Sequence, residues 1–466
     1  MFDSLFDPKT VAIIGASQDP AKIGNAILVN MIGSGYKGQI IPVNPSSKEI
    51  LGIPTIPSID SVMVPPDLVV IALPASKAID SLKSCVKVGA KFVILIAGGF
   101  SETGKEGKQK EDEIRNILKT TKTRLIGPNT LGVYFPYSGV NTALTSKGRM
   151  NFPVSGDIGF ISQSGALGLL TMDGISEYGV GISAFLNLGN RADLNEIDLL
   201  DYLVGYRNTS SICIYLESVP KGKEFFDRVK TISPKKPIVI LKSGRTPASA
   251  KAASLHTGAM ATDDNIINGL ISQSGAIRAY DETELIDYGR VLAYSKKMRG
   301  DNIAIITTAG GVGVVTSDYV SSRRNGIGLQ LAKFTERTKS EIRETIVPFG
   351  SSENPIDMTA DASVEEFGKL IDILDRAHEI DAIIAYPLPQ TPKMGPEIVD
   401  VISEKIKTGK KPIIVGVLGS RTSKDLLIAF EQRRIPSYPS IQRTVKACLA
   451  LRKYSKYMLR RFPDEH

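Results

Sequence analysis

Three histidines and three cysteines are the whole stock of imidazole and thiol in this 466-residue chain. Cys85, Cys213 and Cys448 stand far apart without metal-ligand spacing, and a disulfide scaffold would need more of them in a shorter chain. No apolar run approaches the length that spans a bilayer. Met1–Pro8 carries acids where a signal peptide carries basic and then apolar residues, so a cytoplasmic protein without membrane contact is expected. There is no Gly-x-x-x-x-Gly-Lys-Ser/Thr phosphate loop, nor any segment resembling another complete nucleoside-triphosphate fold. A chain of this kind that handles phosphate would take its nucleotide from a partner. Finally, the net charge of +8 comes without a basic stripe interleaved with aromatics, which speaks against nucleic acid. Part of the excess is the C-terminal group Arg443, Lys446, Arg452, Lys453, Lys456, Arg460 and Arg461, read as the solvated face of a helix. The remainder suits phosphorylated small ligands.

Hydrophobic residues at 42% and charged residues at 23% describe an ordinary globular protein, and the length suggests about three domains. The first third alternates helical segments with short aliphatic runs at Val11–Gly15, Ile40–Val43, Leu68–Leu73, Phe92–Ile96 and Leu125–Gly127. Such unbroken runs predict parallel strands buried on both faces, with the ligand crevice at their carboxyl edge. A second set follows at Ile158–Ile161, Ile182–Leu186, Ile212–Leu216 and Pro237–Leu241. A third begins near Gly300 and echoes the second: Asn302–Gly311 resembles Asp157–Ala166, and Lys410–Val415 followed by Ser420-Arg421-Thr422 resembles Lys235–Ile240 followed by Gly244-Arg245-Thr246. The expected architecture is α/β, with a Rossmann-like domain at 1–150 and two flavodoxin-like parallel-sheet domains at 151–297 and 298–466, the last two being a duplicated module.

His256 lies in a run of small residues, Ser243–Ala261, while His378 and His466 have no comparable setting. Neutral imidazole is nucleophilic near pH 7 and can carry a phosphoryl group on nitrogen. The window alone leaves a helix-end histidine open as the alternative. The third segment has no histidine at the corresponding place. Ser162-Gln163-Ser164-Gly165 follows a buried strand and opens a helix, which makes an oxyanion site or a plain serine cap. Glu217 closes the strand Ile212–Leu216 at the same sheet edge, where it could accept the other imidazole N–H or simply be solvated. The first strand-to-helix turn, Gly15–Gly24, replaces the middle glycine of a dinucleotide fingerprint with Ser17. Pro42-Val43-Asn44-Pro45 puts Asn44 where a nicotinamide cofactor would want an acid, which disfavours a dehydrogenase.

Taken in order, Val11–Ser17, Pro42–Pro45, Gly127–Asn129, Ser162–Gly165, Asn187–Asn190 with Asp193, Tyr215–Glu217 and Ser254–Gly258 make the chain resemble the alpha subunits of ADP-forming acetyl-CoA synthetases. These belong to the NDP-forming acyl-CoA synthetase superfamily, which includes succinyl-CoA synthetase. The resemblance covers essentially the whole chain. It implies an ADP-forming acetate–CoA ligase that converts acyl-CoA, ADP and phosphate to acid, ATP and CoA through an acyl phosphate and a phosphohistidine at His256. It further implies that Glu217 stabilises that phosphohistidine, and that Ser162, Ser164, Gly165 and Gly258 hold the phosphate. By the same resemblance Gly15, Ser17, Lys22, Asn44, Pro74, Ala97, Gly98 and Asn129 lie near CoA. ADP or ATP and Mg²⁺ are expected on an ATP-grasp beta subunit in an α2β2 assembly. Thr130 departs from the Cys found in many relatives, a position whose thiol the chemistry does not use. Two alternatives remain: a CoA-binding regulatory or acyltransferase-associated protein, which would not need both His256 and Glu217, and a succinyl-CoA synthetase-like alpha chain, which would end near residue 295.

Overall fold

Short runs of branched aliphatics that are apolar on both sides form a sheet only if helices cover both faces. The computed structural model describes residues 3–145, 148–251, 263–322 and 328–463. Five such runs become β1 (Thr10–Ile14), β2 (Gln39–Val43), β3 (Leu68–Ile71), β4 (Phe92–Leu95) and β5 (Arg124–Ile126). They pair in parallel in the order β2-β1-β3-β4-β5. The crossovers carry helices α1 (Ile23–Gly33), α2 (Ala75–Lys87) and α3 (Lys105–Leu118). Helix α2 shows why they pack: Ala78, Leu82 and Cys85 recur at helical spacing and are buried against β3 and β4, while its lysines face water. Strand order reverses between β1 and β3, and a doubly wound sheet opens a crevice beyond the carboxyl ends at that point.

The chain then enters a second sheet through a hairpin, β6 (Val133–Phe135) and β7 (Val140–Asn141). Its central strands are β8 (Ser155–Ser162), β9 (Ile182–Asn187), β10 (Ser211–Leu216) and β11 (Ile238–Lys242), all expected as buried runs. Among these strands the order is β11-β10-β8-β9-β6-β7, parallel except where β6 meets β9 and β7. The hairpin was not anticipated, because strands of two or three residues leave almost no periodicity to read. Helices α4 (Gly165–Ser176) and α5 (Glu196–Gly205) follow β8 and β9.

By its contacts the chain divides into two compact units, Met1–Glu177 with Gly181–Ser274 and Tyr178–Val180 with Gly275–His466. The strands β1 to β11 named above lie in the first unit. The second unit is built on a parallel sheet of β12 (Asn302–Thr307), β13 (Gln330–Leu331), β14 (Ile356–Asp357), β15 (Ala382–Tyr386), β16 (Ile413–Gly416) and β17 (Ser437–Tyr438). Its order is β13-β12-β15-β16-β17, with β14 also on β12. Among its helices are α6 (Gly310–Ser321), α7 (Val364–Arg376) and the long α8 (Ile441–Arg461), which buries Cys448 and Leu451. No described helix is long and apolar enough to cross a membrane. All three cysteines are buried thiols outside any disulfide, and burial pushes those of Cys85 and Cys448 up to about 12.

The repeat heard in the sequence recurs as matching side-chain devices. Ser162 Oγ donates to the Ser164 carbonyl at 2.6 Å, and Thr307 Oγ1 donates to the Ala309 carbonyl at 3.0 Å. Nine residues further on, Thr171 and Thr316 each donate to the carbonyl four residues back at 2.7 Å. Lys236 Nζ donates to the Leu203 and Tyr206 carbonyls at 3.0 and 2.7 Å, closing the end of α5. Lys411 Nζ does the same for α7, reaching the Leu374 carbonyl at 2.7 Å and that of Ala377. These carbonyls have no partner within their helices, and a half-buried ammonium supplies both hydrogen bonds and a charge matched to the helix dipole. Burial lowers the pKa of both lysines. Methionine at 236 removes the donor to the Leu203 carbonyl and leaves the Tyr206 carbonyl only the Thr209 amide at 3.0 Å, and methionine at 411 removes the donor to the Leu374, Asp375 and Ala377 carbonyls. Lys236→Met and Lys411→Met are each expected to lower unfolding free energy by about 1.5–3 kcal/mol in urea titrations, and a change below ~0.5 kcal/mol would mean that water serves those carbonyls equally well.

Candidate functional site

Two cavities open at the carboxyl edges of the two sheets in the first unit. The larger, about 1080 Å³, lies above the strand-order reversal of the first sheet. Its floor is the turn after β1. Gly15 there has φ of +88°, and a Cβ on it would stand 2.7 Å from the Ala72 carbonyl, so both the backbone conformation and the close approach to the neighbouring turn require glycine. Asn44 Nδ2 donates to the Ala16 carbonyl at 2.8 Å, and its Oδ1 accepts from the amides of Ser46 and Ser47 at 2.8 and 3.1 Å. Asn44 thus spends its side chain tying the turns after β1 and β2 together. Ser17 Oγ accepts from the Asp19 amide at 3.1 Å. Lys22 and Lys77 are exposed on the cavity wall, and α1 and α2 both start there without a side-chain cap. Uncapped helix starts with two nearby ammonium groups favour a phosphorylated ligand.

The smaller cavity, about 240 Å³, lies at the start of α4. Ser164 caps that helix, its Oγ accepting from Leu167 N at 3.4 Å. At Gly165 an added Cβ would fall inside van der Waals contact of Leu131 Cγ, so a larger residue there would have to displace the Leu131 side chain. Asn187, fully buried at the end of β9, holds this corner: its Oδ1 accepts from Leu131 N at 2.7 Å and Thr130 Oγ1 at 3.0 Å, and its Nδ2 donates to the Ser162 and Gln163 carbonyls at 2.9 and 3.2 Å. Gln163 Oε1 accepts from the amides of Glu217 and Ser218 at 2.8 and 3.1 Å, which fixes the turn bearing Glu217. Tyr215 OH donates to Glu217 Oε1 at 3.4 Å.

A network around the Glu102 carboxylate joins the two cavities. Glu102 Oε1 accepts from the amides of Gly99 and Phe100 at 2.5 and 3.1 Å, and its Oε2 accepts from Asn190 Nδ2 at 2.5 Å. Asn190 Oδ1 in turn accepts from Asn129 Nδ2 at 3.2 Å. Burial raises the Glu102 pKa, but the hydrogen bonds from Asn190 and the backbone amides outweigh it and hold the carboxyl below its usual range. Gly98 sits at the seam, its α-carbon facing both Glu102 and Asn129.

Of the residues singled out from the sequence, Gly15, Ser17, Lys22, Asn44, Pro74, Ala97 and Gly98 meet around the larger cavity. Asn129, grouped with them in the sequence, lines the smaller one together with Ser164, Gly165 and Glu217. Ser162 stands behind that wall, fully buried, with its hydroxyl committed to Ser164. His256 and Gly258 lie outside the described residues. Sequence reasoning assigned no role to Glu102, Gln163 or Arg191, all of which line the smaller cavity. Arg191 stood between two quoted positions, Asn190 and Asp193, and a charged residue beside Gly189 at a strand end was the available signal. Asp193 itself pairs with Arg124 at 2.9 Å and accepts from Leu125 N at 2.8 Å, a brace to β5.

Comparison with known proteins matches three successive segments to three families. Residues 9–136 match the CoA binding domain family, 155–292 the succinyl-CoA ligase like flavodoxin domain, and 303–459 the Ligase-CoA domain. The chain is 37% identical over 463 residues to acetate–CoA ligase [ADP-forming] I subunit alpha of Pyrococcus furiosus, covering 98% of each chain. It is 32% identical to 4-hydroxybutyrate–CoA ligase [ADP-forming] of Nitrosopumilus maritimus, over 98% of this chain and 65% of that longer protein. A solved structure of the dinucleotide-forming acetyl-coenzyme A synthetase 1 of Ca. Korarchaeum cryptofilum, in complex with phosphate and ADP, superposes with a TM-score of 0.88 at 32% identity, covering 99% of each chain.

Glu102→Gln puts an amide NH2 where an oxygen accepts, against either Asn190 or the Gly99 and Phe100 amides. It is expected to lower unfolding free energy at pH 7 by about 1–3 kcal/mol. Because the folded carboxyl titrates below its unfolded value, its contribution is complete above about pH 4.5 and fades as pH falls through the lower folded value. The gap between wild type and variant in denaturant melts should therefore shrink on acidification, and a gap independent of pH would rule out the carboxylate as its source.

Proposed function

The chain belongs to the alpha-subunit family of the ADP-forming acyl-CoA synthetases, and from that premise we propose that it carries the thioester and phosphohistidine half of the reaction acetyl-CoA + ADP + phosphate ⇌ acetate + ATP + CoA. The observation that carries this reading is the meeting, in one small cavity, of Glu217 with the Ser164-Gly165 start of α4, beside a larger groove suited to a phosphorylated ligand. In this reading residues 1–150 bind CoA, 151–297 carry the phosphohistidine, and 298–466 form the second flavodoxin-like domain. Gly15, Ser17, Lys22, Asn44, Pro74, Ala97 and Gly98 form the CoA groove, and the two lysines and two helix starts favour the anionic parts of the ligand. Asn129 serves at the seam.

The steps balance without a redox partner. A phosphate oxygen attacks the thioester carbonyl, the C–S bond breaks, and CoA leaves as the thiol with a proton from phosphate, giving acetyl phosphate. Amides at the start of α4, with Ser164, Gly165 and Gly258, hold the phosphoryl oxygens as charge moves onto them, and Ser162 supports that helix start from behind through its bond to the Ser164 carbonyl. A His256 ring nitrogen attacks phosphorus, the P–O bond to the acyl group breaks, and acetate leaves. Glu217 accepts the other imidazole N–H, which raises the basicity of the ring and stabilises the charged phosphohistidine. The phosphoryl group then passes to ADP on an ATP-grasp beta partner in an α2β2 assembly, where a bound Mg²⁺ would neutralise the nucleotide phosphates. The small residues around His256 suit a segment that must serve two sites. Acetate is taken as the acid because the relative that is 37% identical over 98% of each chain is an acetate–CoA ligase.

The test is phosphorylation of the purified chain by labelled phosphate with acetyl-CoA, without and with the beta partner, and then with 4-hydroxybutyryl-CoA. An acid-labile, base-stable label that maps to His256 is expected. His256→Ala abolishes the label while CoA binding persists, and Glu217→Gln lowers labelling by about tenfold or more, the value of one charge-assisted hydrogen bond, without unfolding the protein. Equal loss of folding in both variants would instead assign the two residues a structural role.

A further inference from the structure

Arg191 is the one cation among the described residues that line the smaller cavity, where Glu102 and Glu217 supply two carboxylates. A phosphate entering between two acids is repelled unless a positive group faces it, and the effect is large where water is scarce. The guanidinium is largely buried, its side chain 11% exposed, and its hydrogen bonds are unevenly spread. Nη1 donates to the Ser218 carbonyl at 3.1 Å and to Glu196 Oε2 at 3.2 Å, and Nη2 donates to Ser218 Oγ at 2.8 Å. That uses three of the five N–H groups of an arginine. Since Nη1 and Nη2 both address Ser218, the end-on pair is taken. What is left without a partner among the described residues is Nε–H and the second Nη2–H, the side-on pair whose spacing matches two oxygens of a tetrahedral oxyanion. Glu196, only 3% exposed, fixes the plane of the group from the other side. The fork is therefore oriented before any ligand arrives, which is the condition for useful charge stabilisation.

We propose that Arg191 binds the phosphoryl oxygens of phosphate and of the acyl phosphate through this side-on pair, and is the substrate-contacting positive charge of the site. The role rests on the acyl-phosphate reading given above. It complements α4: the helix start supplies amide donors and a partial charge, and Arg191 supplies a full one. Lysine cannot replace it fully, because an ammonium offers a point charge without the two parallel donors and without the clamp on Ser218.

The experiment is initial-rate kinetics of the chain assembled with its beta partner, with inorganic phosphate, acetyl-CoA and ADP varied in turn. Arg191→Gly suits the backbone, whose φ is +61° at this position, and leaves room for added guanidinium ion. The KM for phosphate should rise about 10- to 100-fold, the value of a charged hydrogen-bond pair, while the KM for ADP stays within about twofold. Added guanidinium should restore part of the loss, and Arg191→Lys should fall between. A lower kcat at unchanged phosphate KM, with no guanidinium rescue, would overturn the proposal and leave Arg191 as a brace for Ser218. A wild-type complex that cleaves acetyl-CoA without requiring phosphate would overturn the functional reading itself, and with it this role, and is recognised separately because it is seen without any variant.

Discussion

One buried side-chain amide, that of Asn187, fixes the corner on which the candidate site is built. Its four hydrogen bonds join the end of β9 to the end of β8 and to the segment leaving β5. An amide offers two donors and two acceptor lone pairs, and here both sides are engaged. With the corner held, the α4 start, the Leu131 wall and the Gln163 side chain all take fixed places. Gln163 then passes the constraint on by accepting both amides of the turn that bears Glu217. A carboxylate hydrogen-bonded to Asn190 ties the same corner to the first sheet through Glu102. The rigidity of the cavity comes from satisfied polar groups around it, since an unsatisfied one at this depth would be costly.

The duplicated module separates scaffold from chemistry. The hydroxyls of Ser162 and Thr307, the threonines nine residues later, and the lysines that close α5 and α7 do the same work in both copies. They satisfy backbone groups that any sheet-and-helix module of this shape leaves open. The copies part where a side chain would meet a ligand: Ser164 caps α4, whereas Ala309 at the start of α6 offers no cap.

The sheets were legible because buried parallel strands leave a plain aliphatic signature, and β1 to β5 and β8 to β11 fall within a residue or three of the runs read from the sequence. The β6–β7 hairpin was not, since a strand of two residues has no period. The groove residues from Gly15 to Gly98 were legible through turn chemistry at successive strand ends, and they do meet in space. Asn129 shows the limit of that reasoning: its place follows from a left-handed backbone, φ +58°, and from its bond to Asn190, sixty-one residues away. Arg191 and Glu102 were hidden for a similar reason. Each acquires meaning only from partners brought in by the fold, and charged residues in turns are ordinarily solvated.

The three thiols occupy three different layers: Cys85 on α2 over the first sheet, Cys213 within β10 of the second, and Cys448 on α8 in the other unit. A thiol reacts as the thiolate, and burial holds each of these protonated. Alkylation or oxidation at any one of them must therefore wait for its own layer to open. The chain carries, in effect, one sentinel for each sheet, so the order in which the three are modified in a population would record the order in which the sheets come apart.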